Sequence, residues 1–332
     1  MAGFVLTNVS SRSSLRAERK SRAEVAPRAG CDDEWVVSMH FPVHLFFPLA
    51  SSFGYVFAVL LLKRSADWGV GVWRTAFISN LAMGVTFLAL LLLGGPGQPV
   101  SMWWQPVLSG GLFLAGQIFT FMALHHGDVS VATPVLGLKI VLVAFSSVLL
   151  LPDPVPLKWW VAAGLSSLAI VLLSRGETRP RNAAGRTVVL SALAALCFAL
   201  TDVMVQKWAP AWGVGRYLPF MFGMVAVFSV GLIPFFSAPL RAVPRPAWGW
   251  LAGGGVLLAL QAGSMAYALG VFGDATAVNI VYSARGLWSV VAVWLIGHWF
   301  ANEEQRLSPA VLRSRLAGAG VMLAAIALVV AR

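Results

Sequence analysis

Beyond residue 40 the chain alternates between apolar runs of about 18–23 residues and short polar connections. Ten such runs can be marked, at roughly 43–62, 72–94, 104–125, 131–151, 157–174, 187–206, 217–237, 249–270, 276–298 and 312–331. A helix crossing a hydrocarbon layer of ~30 Å needs about 20 such residues. Lipid offers no partner to backbone N–H and C=O groups, so runs of this kind are predicted to be helices rather than strands. Tryptophan gathers near the run ends, at Trp103-Trp104, Trp159-Trp160, Trp248 and Trp250, where an interfacial belt is expected. The fold class predicted is an all-α membrane protein of ten transmembrane helices.

Residues 1–40 read differently. They are rich in Ser and Arg, lack an apolar run, and carry the acidic group Asp32-Asp33-Glu34. A secretory signal needs an apolar stretch of about 7–15 residues, so the segment is read either as a polar, disordered tail or as translated upstream sequence ahead of a start at Met39. Glu18, Glu24 and the Asp/Glu group argue against an organelle transit peptide.

The polar residues reveal an internal repeat. At an offset of 144, Lys63 matches Lys207, Trp104 matches Trp248, Gly110-Gly111 match Gly254-Gly255, Gln117 matches Gln261, and Thr120 faces Ser264. At an offset of 146, Gly127-Asp128 match Gly273-Asp274 and Lys139 matches Arg285. Coincidences at Trp, Gln, Asp and intramembrane cations weigh far more than Leu on Leu. The organisation expected is a first five-helix repeat over 41–175, a basic connection at 176–186, and a second repeat over 187–332. Five crossings per half give the halves opposite senses in the membrane, the plan of many secondary transporters.

Composition agrees. Hydrophobic residues make up 58% of the 332 and charged residues only 11%, against about 25% charged in soluble domains. The net charge of +11 lies mostly between apolar runs, where it meets lipid headgroups rather than nucleic acid. Connections after odd-numbered spans hold Lys63, Arg64, Arg74, Arg175, Arg179, Arg181, Arg186, Arg241, Arg245, Arg306, Arg313 and Arg315. Those after even-numbered spans hold only Lys158, Lys207 and Arg216. The positive-inside rule then sets both termini outside, while the basic tail pulls the other way, and orientation stays open. Cys31 and Cys197 lie in unlike surroundings and form no disulfide or metal framework. Walker A, HExxH, GxSxG and GxGxxG patterns are missing, so neither an enzyme, nor a cofactor, nor a metal centre is expected.

Lys139 and Arg285 are the leading candidates for substrate contact. A cation in mid-span costs about 2.5–3.5 kcal/mol, tolerated where it faces a ligand, a cavity or a counter-ion. Two of them would attract a carboxylate or phosphate. Asp202, inside the sixth span, either carries a coupling proton or neutralises one of these cations. Gln117 and Gln261 either bind substrate or tie helices together. Asn279 and Tyr282 precede Arg285 by six and three residues and are candidate lining. Asp128 and Asp274 fit helix N-caps better than proton carriers. His125-His126 point about 100° apart on a helix and suit an interface; His40 and His44 lack a third ligand. Pro134, Pro219 and Pro234 are candidate kinks.

Phe53-Gly54 leading to Lys63, Arg74 opening the second span, and Ala123-Leu124 before Gly127-Asp128 resemble the drug/metabolite transporter superfamily, in particular its EamA-type ten-span members. The second copy runs from Ala268-Leu269 to Gly273-Asp274, and Glu303-Glu304 with Leu307-Ser308-Pro309 resemble the family's acidic connection. The first half departs from this with Leu151-Pro152-Asp153-Pro154, and mid-span cations are not typical of EamA proteins. Thr133 to Lys139 and Asn279 to Arg285 look more like the sugar-phosphate and nucleotide-sugar branch. The resemblance implies a multi-pass protein of the plasma (bacterial inner) membrane. Its partners would be the lipid bilayer and a small-molecule substrate, anionic or zwitterionic, moved by alternating access. A lipid-active flippase or scramblase is the alternative.

Overall fold

The computed structural model describes residues 42–126, 129–174, 184–296 and 309–331; the side chains at 125–126, 129–130, 184, 293–296, 309 and 312 fall outside the description. The polar tail, Asp128, the His125-His126 side chains, most of the basic connection and the Glu303-Glu304 segment therefore lie outside the described residues.

Every described element is helical. The first half comprises α1 (Phe46–Ser65), α2 (Val72–Leu88), α3 (Trp104–His126), α4 (Val129–Gly137), α5 (Lys139–Leu150) and α6 (Leu157–Leu173). The second comprises α7 (Ala184–Trp212), α8 (Val214–Phe228), α9 (Arg245–Phe272), α10 (Ala275–Tyr282), α11 (Arg285–Ile296) and α12 (Pro309–Val330). The second and seventh spans finish in tightened 3-10 turns, Ala89–Leu93 and Ser229–Phe235, and Pro234 lies within the latter. Eight of these stretches are long and apolar enough to cross a bilayer, and α6 is a shorter apolar helix. With α10 and α11 taken together, each of the ten predicted runs is helical. The chain is an all-α, multi-pass integral membrane protein of about ten spans.

The fourth and ninth spans are not continuous helices, a difference from the uninterrupted runs expected. The fourth breaks at Leu138, whose N–H reaches back only to Val135. The ninth breaks at Ser283-Ala284, where Ala284 N–H bonds Val281 O and Gly286 N–H bonds Ser283 O. Pro134 stands inside α4 and removes one ladder donor just before the first break. The ninth span has no proline over 275–296, so no missing ladder donor accounts for its turn. In both spans the residue after the tightened turn is the cation, Lys139 or Arg285.

Packing follows the repeat. The first span lies mainly along the eighth and the third along the sixth; the second meets the seventh and the fifth meets the tenth. Each pairing maps onto another, or onto itself, when the halves are exchanged. A second signature sits at the first connection of each half. Trp68-Gly69-Val70-Gly71 recurs as Trp212-Gly213-Val214-Gly215, again 144 positions on, and Gly69 and Gly213 adopt φ of 68° and 73°. Only glycine takes that left-handed turn without steric cost. Small residues also allow close helix approach: a Cβ added at Gly110 would stand 2.7 Å from the Met221 carbonyl oxygen.

Candidate functional site

Lys139 opens α5 and turns toward the sixth span. Its ammonium is 2.7 Å from Asp202 Oδ2, and each side chain keeps 14% of its surface accessible. The same carboxylate oxygen accepts from Asn279 Nδ2 at 2.8 Å. Asp202 thus ties the fourth span to the ninth through the sixth. One turn along α7, Gln206 Oε1 accepts the Ala275 N–H at 2.8 Å, so two side chains four residues apart hold both ends of the first turn of α10.

This also revises the reading of Asp274. It does stand at the N-cap position of α10, with φ 56° and ψ 47°, but its side chain makes no cap hydrogen bond. Gln206 satisfies the orphan donor in its place. The local sequence pattern is overruled from another helix.

Arg285 opens α11 and meets the first span. Its guanidinium lies over the rings of Tyr55 (5.1 Å) and Tyr282 (4.8 Å), which face each other nearly edge-on at 6.2 Å and 75°. The Tyr282 hydroxyl donates to Gln261 Oε1 at 3.1 Å, and Ser51 Oγ donates to the same oxygen at 3.1 Å. Lys139 Nζ lies 5.9 Å from the Tyr282 ring centroid and 5.9 Å from that of Phe198. Both cations contact one ring, so they are no more than about 11 Å apart. Among the described residues, Arg285 has no carboxylate at ion-pair distance.

The arrangement is therefore a polar cluster of Lys139, Asp202, Asn279, Tyr282, Gln261 and Arg285. It is drawn from the fourth, sixth, eighth and ninth spans, with Tyr55 and Ser51 from the first. It can present a guanidinium to an anion, and it holds an ion pair whose strength depends on protonation of one carboxylate.

Residues 43–175 match the EamA-like transporter family. The first half of the chain is an EamA-like transporter domain. Protein PecM of Dickeya dadantii (strain 3937) is 28% identical over 234 residues, covering 69% of this chain and 74% of PecM. A solved structure described only as "Crystal structure of protein" superposes with a TM-score of 0.68 at 17% identity, covering 87% of this chain and 98% of that one. At that identity the likeness concerns the fold. The family match and the likeness to PecM support a multi-pass membrane transporter of the drug/metabolite type.

Of the site residues expected from sequence, the structure gathers Lys139, Arg285, Asp202, Asn279, Tyr282 and Gln261. It does not bring Gln117 to them. The Gln117 amide pairs reciprocally with Asn80, at 3.0 and 3.1 Å, binding the third span to the second. Sequence reasoning missed Tyr55, Ser51 and Phe198 as neighbours of the cations. Scarcity was the available signal for the first: the chain has only four tyrosines, and two of them flank Arg285.

Proposed function

We propose that this EamA-like chain is a secondary transporter that moves a small anionic or zwitterionic metabolite by alternating access, with the Lys139–Arg285 cluster as its binding site. The observation that carries the reading is the meeting of both intramembrane cations on Tyr282, inside a cluster assembled from both halves. Charge in the membrane interior is expensive and defaults to a functional role.

Asp202 serves as the coupling carboxylate in this reading. Protonation would loosen its bonds to Lys139 and Asn279 and so release the fourth and ninth spans from the sixth, coupling the proton to the conformational change while the pair stays intact with substrate bound. A lipid-active protein would instead need both cations at a lateral opening; their shared contacts with Tyr282, whose side chain is almost entirely buried, favour a carrier.

The test is counterflow in proteoliposomes with labelled carboxylates, amino acids and sugar phosphates. Exchange of one water-soluble class is expected, lost in Arg285→Ala with an unchanged melting profile. Asp202→Asn should retain exchange but lose acceleration by an inward proton gradient. Movement of lipid reporters without any soluble solute would refute the proposal.

A further inference from the structure

We infer that the site takes a monoanion with a flat, apolar body, rather than a dianion such as a phosphate ester or dicarboxylate. The inference rests on the reading of the Lys139–Arg285 cluster as the binding site and narrows its ligand.

The two halves are asymmetric at the positions that their cations meet. The cation of each half docks on the first span of the other half: Lys139 on the sixth span, beside Phe198 and Asp202, and Arg285 on the first, beside Tyr55. The ungapped register that aligns Lys63 with Lys207 and Trp68 with Trp212 aligns Ala58 with Asp202. The duplicated position therefore carries a carboxylate in one half and a methyl group in the other. Ala58 is fully buried, so no charge replaces the missing one there.

The interior charge follows. Among the chain's 13 acidic residues, Asp202 alone falls inside a predicted span; the others sit in the tail or the connections. Lys139 and Arg285 are the cations well inside spans. Lys139 is neutralised at 2.7 Å, which leaves the site one unit positive, centred on Arg285. A low-dielectric site is most stable when its bound state is neutral. One negative charge achieves this; a dianion overshoots, and a zwitterion leaves the excess in place.

The surroundings of Arg285 describe the rest of the ligand. Its guanidinium carbon lies 5.1 Å from the Tyr55 ring and 4.8 Å from the Tyr282 ring, and a carboxylate that it gripped in a two-pronged fashion would lie beside both rings. A ligand held in this way lies along aromatic surface, with Phe198 and Phe113 in mutual edge contact nearby (5.7 Å). The Tyr282 hydroxyl donates to Gln261, which Ser51 in turn holds, so its ring is a set wall rather than an adaptable one. Flat apolar bodies fit rigid rings by offset or edge packing.

The experiment is binding of radiolabelled benzoate to purified protein, in competition with acetate, phenylalanine, malate and glucose 6-phosphate. Benzoate is expected to bind at least about tenfold more tightly than acetate, malate or glucose 6-phosphate, and more tightly than phenylalanine. Ala58→Asp, which supplies the missing carboxylate, should abolish benzoate binding with the melting temperature retained. Should that variant unfold, Tyr55→Leu and Tyr55→Phe decide instead: about tenfold weaker binding in the first and near-native binding in the second are expected, and equal binding in both overturns the inference. Malate or glucose 6-phosphate binding as tightly as benzoate, lost in Arg285→Ala, overturns the ligand class while leaving the site standing. Binding of every probe unaffected by Arg285→Ala removes the site itself.

Discussion

Lys139 of the fourth span and Asp202 of the sixth form an ion pair of 2.7 Å that joins the two halves within the membrane interior. Removing one member strands the other charge, at a cost of order 3 kcal/mol. Removing both leaves no charge to strand. Lys139→Gln and Asp202→Asn should each lower thermal stability in detergent more than the double variant does, a coupling within the ~0.5–3 kcal/mol seen for residues in contact. Additive losses in calorimetry or fluorescence melting would show that the two charges do not depend on each other.

Gln206, not Asp274, caps α10. Loss of a side-chain cap costs about 1 kcal/mol. Gln206→Ala should therefore destabilise the protein by roughly that amount, whereas Asp274→Gly should be neutral or stabilising, because glycine holds a φ of 56° without a Cβ penalty. Chemical denaturation of the two variants side by side checks the order. The reverse order would return the cap to Asp274.

What could be read beforehand and what could not divide along a physical line. Ten helices follow from run length, because lipid dictates both the helix and its span. Lys139 and Arg285 stand out because charge is rare there, and Tyr282 follows from its three-residue spacing to Arg285. Tyr55 belongs to the other half, and no local spacing connects it to Arg285. Two cations were available to Asp202, and choosing Lys139 needed the packing of α5 on α7. Gln117 matched Gln261 at the repeat offset, yet its amide went to Asn80, a residue whose own full burial demands a partner. The paired Trp-Gly-Val-Gly turns were legible in the one-letter text, since Lys63 and Lys207 already set the register. The break of the ninth span carries no proline and left no local mark.

Gly69 and Gly213 share a repeat position and a left-handed φ, but not their surroundings. A Cβ on Gly69 would have nothing within 4 Å, whereas one on Gly213 would stand 3.0 Å from Gly95 Cα and 3.3 Å from Pro96 Cδ. Both alanine variants incur the conformational cost of about 1–2 kcal/mol; only Gly213→Ala adds a clash with backbone that cannot rotate away. Gly213→Ala should therefore melt distinctly lower than Gly69→Ala. Equal melting temperatures would mean that the connections do not pack as closely as described.

Asp274 lies in the short connection between the eighth and ninth spans, and burial raises its pKa; the nearby His44 charge pulls the other way and Asp153 adds to the rise. A carboxyl group that holds its proton more tightly folded than unfolded binds more protons in the native state. Its contribution is then most favourable below the ordinary carboxylate range and is lost as pH climbs through the raised folded value. Above that raised value the charged side chain is a burden in full. Asn keeps the polar shape and tolerates left-handed backbone, so Asp274→Asn isolates the charge. The variant should melt above wild type at pH 7 to 8, with the gap narrowing as the pH is brought down toward 4. A gap that is missing at neutral pH, or that widens on acidification, would mean that His44 rather than burial governs this carboxylate.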